Sequence, residues 1–300
     1  MHSRHGDCTA DSHHELGLAV PRFVRSLDTA FPAVLLFVCI PALSSAAAQT
    51  ESAPQKTFFE ARDAALGAAL LAASAGVSLF DVRIARFFQD TSLAHVRAGR
   101  RVDDAFTHIN ETTLTVGSFA VYAIAQLTKH RTVADVAFHA TESVAAASIA
   151  SQVIRGPVGR TRPLDTTPPY GDQYDFNFFK GFNHFKQRAF PSIHSASGFA
   201  AATAIVAEVQ RRNRGATWFV AVPTYAIAMS PGLSRMYLGQ HWASDIVSGA
   251  FLGTFFGSRV ASYSHSHPTT RIDRMFLGSV ERASIAAHAR GASFNWTIAF

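Results

Sequence analysis

The sequence has 300 residues, an apolar fraction of 48%, a charged fraction of 16% and a mean hydropathy of +0.11. These values lie between an ordinary water-soluble chain and a multi-pass membrane protein, and the length suits one large domain or two small ones. A net charge of +6 fits anionic lipid or phosphorylated small molecules, whereas the absence of a dense Lys/Arg tract argues against nucleic acid.

The first organised feature is an export signal. Arg22 and Arg25 precede an apolar run from Phe31 to Leu43, and Ala46-Ala47-Ala48 offers a signal-peptidase pattern with cleavage before Gln49. Residues 1–48 are therefore expected to be a discarded leader, its histidines (His2, His5, His13, His14) included. Both cysteines, Cys8 and Cys39, fall inside it, so the mature chain must be held by its core alone. Removing the leader takes away three basic and four acidic residues and leaves a net charge of +7.

Six Ala-rich apolar segments follow: Ala64 to Phe80, Thr113 to Leu127, Ala137 to Ile154, Ala196 to Val209, Thr217 to Ser230 and Ile246 to Gly257. Alanine is the best helix former, and Gly-Ala surfaces let helices approach closely. The expected fold is all-α, a helical bundle of about six core helices over residues 49–263, with 264–300 as a C-terminal extension. Most of the segments are short for a membrane span, and basic loops favour opposite orientations. An exported bundle in the periplasm or cell envelope, soluble or membrane-associated, fits this pattern. The alternative is an integral membrane protein with its site facing the periplasm. In the extension, residues 271–300 alternate somewhat, but a single strand makes no barrel, so a peripheral helix or loose extension is expected.

Three motifs carry chemistry. The first runs from Arg155 through Gly156, Pro157, Gly159 and Arg160 to Arg162-Pro163, a loop of guanidinium groups suited to the oxygens of a phosphate. The second is Pro191-Ser192-Ile193-His194, where Ser192 is a plausible N-cap and the helix N-terminus offers free N–H groups to an anion. The third runs from Ser234-Arg235 to His241 and Asp245, a spacing that puts the imidazole and carboxylate on one face if the segment is helical. A carboxylate there holds one ring nitrogen and leaves the other as a nucleophile. A His/Asp metal pair is disfavoured because no further ligands follow at metal-like spacing. Between the first two motifs, Phe176, Phe178, Phe179, Phe182 and Phe185 alternate with Lys180, Lys186 and Arg188. That stretch reads either as a lid for a lipid chain or as a loop packed over the core.

In order and spacing the three motifs resemble those of the type 2 phosphatidic acid phosphatase (PAP2) superfamily, which also holds bacterial acid phosphatases and vanadium haloperoxidases. Its pattern is K-x6-RP, PSGH and SR-x5-H-x3-D, and the resemblance extends over roughly Ala64 to Gly257. Arg155 stands where the family has Lys, and Ile193 where it has Gly. A β-branched residue at the second position would be strained if φ were positive there. The resemblance implies a metal-independent phosphatase acting on phosphate monoesters or diphosphates, those of a lipid above all, and using no cofactor. It implies His241 as nucleophile, Asp245 as its orienting partner and His194 as general acid and base. Arg155, Arg162, Ser192, the Ile193 N–H and Arg235 would bind the phosphate. The partner expected is a phosphorylated lipid or small molecule, with membrane association possible. A vanadate-dependent haloperoxidase and a non-catalytic phosphate or lipid-phosphate binder remain as alternatives.

Overall fold

Alanine, leucine and valine at close intervals give each segment high helix propensity and a small cross-section. The computed structural model describes residues 57–90, 106, 108–267, 271–277, 282–288 and 291–297; the leader lies outside them. Seven helices form the bundle: α1 (Arg62–Ser78), α2 (Asp81–Asp90), α3 (Glu111–Leu127), α4 (Arg131–Val158), α5 (Ile193–Arg212), α6 (Thr217–Tyr237) and α7 (Ala243–Ser266). All six expected segments are helical. The addition is α2, a short amphipathic helix whose first residue, Asp81, turns out to be buried.

Side-chain caps fix several helix starts. Asn110 accepts from the Thr113 N–H at 3.0 Å ahead of α3, and Ser192 caps α5 by accepting from the Ser195 N–H. Helix α4 runs through Pro157 and stops at Gly159, which adopts a left-handed φ of 58°. A Cβ on Gly159 would lie 1.8 Å from the Asn177 carbonyl oxygen, so the position excludes every side chain.

Helix α5 packs against α4 and α7, with α3 and α6 also against it, while α1 lies along α7. The α5–α7 contact is unusually close because α7 presents Gly249, Gly253 and Gly257 at four-residue spacing. A Cβ on each would meet the Ser192 O at 2.3 Å, the Ala196 O at 2.2 Å and the Ala200 O at 2.7 Å respectively. Beside this seam Val144, Ala147, Ala196 and Ala200 form a cluster with essentially no solvent exposure. Helix α1 is tied to α7 by a Ser74–Ser248 hydroxyl pair at 2.6 Å and by Arg259, which pairs with Glu60 and Asp63.

The C-terminal extension begins with a peripheral helix, as expected, and departs from expectation after it. After the short helix α8 (Arg271–Leu277), residues Arg282–His288 (β1) and Gly291–Thr297 (β2) pair as an antiparallel hairpin, in register from Arg282 with Thr297 to His288 with Gly291. The alternation in the sequence was a strand signal after all, satisfied by a local partner two residues away rather than by a barrel. Helix α8 packs on the bundle through Phe276, stacked on Phe138 at 5.1 Å, and through Leu277.

Among the described residues no single helix is long and apolar enough to cross a membrane, although α1 and α2, bent by 53°, pass that test as a pair. Large apolar side chains are nonetheless exposed on α1 (Leu66, Leu71), α3 (Ile124, Leu127) and α6 (Trp218, Phe219).

Gly253→Leu should force α5 and α7 apart at their closest approach. Overpacking of this kind costs about 1–3 kcal/mol, read as a melting temperature lower by several degrees in a circular-dichroism scan of the full chain.

Candidate active site

The three motifs converge at one end of the bundle. Arg155 ends α4 and Arg235 ends α6, while Ile193 and His194 begin α5, and His241 lies just before α7. The N-termini of α5 and α7 thus meet two arginines carried on C-terminal turns. Together they surround a cavity of about 120 Å³ lined by Arg155, Arg162, Arg188, Arg235, His194 and His241, with Ile193, Gln240, Glu111, Gln152 and Phe185 completing the wall.

The guanidinium groups are held from behind. Arg155 donates through Nε (2.8 Å) and Nη2 (2.5 Å) to the Arg188 carbonyl. Arg162 donates to the Gln240 side-chain oxygen and lies over the Phe185 ring, 3.8 Å from its centroid. Arg235 Nη2 donates at 2.7 Å to His194 Nε2, so the ring carries its proton on Nδ1, which has no partner within hydrogen-bond distance. Burial, followed by the neighbouring guanidinium groups, draws both Arg155 and Arg162 down to about 10. Cations crowded like this, with little water, favour an anion between them.

His241 and Asp245 meet by a different route from a shared helix face. Trp242 is the N-cap of α7 and Asp245 its third residue, and the Asp245 Oδ2 accepts from the Trp242 N–H at 2.8 Å. His241 stands one residue before the cap, with its Nδ1 3.6 Å from the same Oδ2. That is an ion-pair distance, longer than a hydrogen bond. The indole N–H of Trp242 anchors the turn to the Thr161 carbonyl at 3.0 Å. The His194 and His241 rings face one another with centroids 6.3 Å apart.

Burial depresses both imidazoles. His241 is lowered to about 4, with Asp245 opposing the fall and Arg155 and Arg162 adding to it. His194 is pushed far below the usual imidazole range by burial and then by Arg235. Both rings are therefore neutral at pH 7 while the cavity holds no anion. Ser192 is fully buried behind the rim. Ile193 opens α5 and is not among the residues with positive φ, so its branched side chain meets no backbone strain.

Residues 137–267 match the family model described as the PAP2 superfamily. All three motifs lie within that segment, which carries the likeness to the PAP2 superfamily. The lipid A 1-phosphatase of Porphyromonas gingivalis is 38% identical over 69 residues, covering 23% of this chain and 15% of the relative. The lipid A 4'-phosphatase of Bacteroides thetaiotaomicron is 30% identical over 105 residues, 35% of this chain and 42% of the relative. The chain thus spans less than half the length of either curated relative. Among solved structures it is similar to a transmembrane PAP2 type phosphatidylglycerolphosphate phosphatase from Bacillus subtilis. That likeness has a TM-score of 0.47 and 17% identity, over 71% of this chain and 99% of the other.

All eight residues marked in the PAP2 motifs come together: six line the cavity, and Ser192 and Asp245 lie buried behind it. Sequence reasoning gave no separate role to Arg160. Its Nη1 donates to Asp245 Oδ1 at 2.6 Å and to the Ser244 hydroxyl at 2.7 Å, and its Nη2 donates to Asp81 Oδ2 at 2.8 Å. Asp81 in turn accepts from the Ser244 N–H at 2.9 Å. Burial raises Asp81 to about 6 against the pull of Arg160. Burial alone would also raise Asp245, but Arg160 and His241 hold it below the usual carboxylate range. The presence of Arg160 between the two motif arginines was a usable signal. Asp81, on α2 and far away in sequence, had none.

Arg160→Leu would strand two buried carboxylates and should cost about 3–5 kcal/mol in denaturant unfolding. Asp81→Asn leaves the Arg160–Asp245 pair intact and should cost clearly less. A second expectation concerns pH. The unfolded chain takes up a proton on His241 near pH 6.5 and the folded chain only near 4. Its contribution leaves stability unchanged above pH 6.5 and lowers it progressively as pH falls from 6.5 to 4. Melting temperatures across that window should fall less steeply for His241→Asn than for the parent.

Proposed function

We propose that the chain is a phosphatase that hydrolyses a phosphate monoester or diphosphate of a lipid, through a phosphohistidine intermediate and without a metal in the chemical steps. The observation that carries this reading is the pair of neutral imidazoles, His194 and His241, facing each other across a small cavity ringed by Arg155, Arg162, Arg188 and Arg235.

Arg155, Arg162 and Arg235 bind the phosphoryl oxygens and spread the charge that develops on them, with the Ile193 N–H and Ser192 at the α5 N-terminus. The free nitrogen of His241 attacks phosphorus as the bond to the leaving oxygen breaks. His194 gives that oxygen a proton. A water then attacks the phosphohistidine, His194 takes the water's proton, and the N–P bond breaks to release phosphate. Asp245 stabilises the positive charge that His241 carries in the intermediate, and Arg160 keeps Asp245 ionised and in place. His194 must be protonated to act as an acid. A bound phosphate supplies the reason: its negative charge offsets the guanidinium groups that, after burial, keep the proton off His194.

The lipid assignment is supported by the rim and by the relatives. Phe178, Phe179, Phe182 and Phe185 are all exposed, and Phe185 also lines the cavity; such a group suits an acyl chain or a membrane interface. The exposed apolar residues of α1, α3 and α6 suit membrane association in the cell envelope. Two relatives carry the names lipid A 1-phosphatase and lipid A 4'-phosphatase. The departure at Ile193 does not favour a non-catalytic binder, since the position keeps its N–H without strain.

The test is phosphate release by the purified protein in chelator, with a soluble monoester and detergent-dispersed lipid A, phosphatidate and prenyl diphosphate side by side. Release should survive chelator, favour a lipid, leave a labelled phosphoenzyme in acid-quenched samples, and vanish in His241→Ala. His194→Ala should lower the rate by about 10²–10⁴-fold. Failure to release phosphate from any substrate would refute the enzymatic reading.

A further inference from the structure

The bundle buries a second set of titratable groups that the phosphatase chemistry leaves unused. His139 of α4, Glu208 of α5 and His265 of α7 each offer one ligand atom, and these atoms all lie within 4.8 Å of one another. His139 Nδ1 is 2.7 Å and His265 Nε2 is 2.5 Å from the same oxygen, Glu208 Oε1. His139 and Glu208 are fully buried, and His265 is partly exposed.

The cluster stands far from the phosphate cavity. His139 precedes Arg155 by 16 residues on α4, and Glu208 follows His194 by 14 on α5, which at 1.5 Å per residue is about 24 and 21 Å. On α7 the polarity is the same: Asp245 lies in the first turn and His265 in the last. All three helices thus carry a phosphate-site residue at one end and a cluster residue at the other.

We infer that His139, Glu208 and His265 form a binding site for one zinc-class divalent cation, which clips α4, α5 and α7 together at the end of the bundle remote from the phosphate cavity. Two imidazole nitrogens and a carboxylate oxygen are a set zinc accepts with a fourth position open to water. Ligand atoms about 2.0–2.1 Å from a tetrahedral ion are roughly 3.4 Å apart, so small side-chain rotations open the present contacts enough to admit it. Each ring presents to Glu208 the nitrogen that would bind the ion, and a neutral ring vacates that nitrogen by moving its proton to the other one.

The surroundings suit a cation. Glu208 Oε2 pairs with Arg212, which also reaches Asp135 Oδ2 at 3.4 Å, and this outer pair fixes the carboxylate's orientation. Glu208 and Asp135 both pair at contact distance with Arg212, with Arg211 farther off.

The full-length protein, equilibrated with zinc sulfate and freed of excess, should retain one zinc per chain more than His265→Ala or Glu208→Gln by elemental analysis. The four histidines of residues 1–14 contribute equally to all three proteins and cancel in the difference. Cobalt(II) in place of zinc should give the parent a visible absorption that both variants lack. Chelator should lower the parent's melting temperature and leave the variants' unchanged, while initial phosphate release below that temperature stays constant. His241→Ala should keep the extra zinc. Equal zinc in the parent and in folded His265→Ala, or a parent melt indifferent to chelator, would overturn the site. His265 is partly exposed near a helix end, so its replacement keeps the test open even where Glu208→Gln fails to fold.

Discussion

The Arg160 guanidinium, shared between Asp81 and Asp245, is the contact on which the site's architecture rests. It lies at the meeting point of the motif loop, α2 and the α7 N-terminus, and all three partners are buried. An isolated buried carboxylate would neutralise itself by taking a proton. Held between Arg160 and the α7 cap, Asp245 stays ionised, and only an ionised Asp245 can attract the proton of His241 Nδ1. Asp81 extends the network to α2, coupling a helix that does not line the cavity to the carboxylate behind His241. Whole-cluster removal is tolerated in many proteins, but single-partner removal leaves a charge behind, which explains why the network has to be considered as a unit.

The packing of the bundle serves the same end. Gly249, Gly253 and Gly257 let α7 lie with its backbone almost against that of α5. Ser192 N–H donates to the Asp245 carbonyl at 3.0 Å, so the two helix starts are also joined by their main chains. The distance between His194, in the first turn of α5, and His241, just before α7, is therefore set by rigid elements rather than by loops. The loop from 160 to 190 is itself pinned to this frame, through Thr161 N–H to the Asp175 O, Arg162 N–H to the Lys186 O and Ala189 N–H to the Arg160 O. Its exposed phenylalanines consequently stand on an ordered base.

The two ends of the bundle place charge differently. At the cavity end cations crowd with one another, and their lowered affinity for protons records an arrangement complementary to an anion. At the other end a buried carboxylate gathers two imidazoles and an arginine, an arrangement complementary to a cation. Residues of α4, α5 and α7 contribute to both.

Helical class, the six core segments and the eight motif residues were legible in the chain, because helix propensity is local and the motifs set charged groups at short, fixed spacings. Ser192 as a cap could be read for the same reason. The His241–Asp245 spacing was legible but its geometry was not: four residues suggest a helix face, and only the placement of Trp242 as N-cap turns the pair into a cap contact. Strand pairing at 282–297 was obscured by weak alternation. Asp81, Arg160's second partner, and the convergence of His139, Glu208 and His265 belong to the tertiary structure alone. Each joins residues dozens to well over a hundred positions apart, and a buried charge acquires its partner only when helix packing brings the two together.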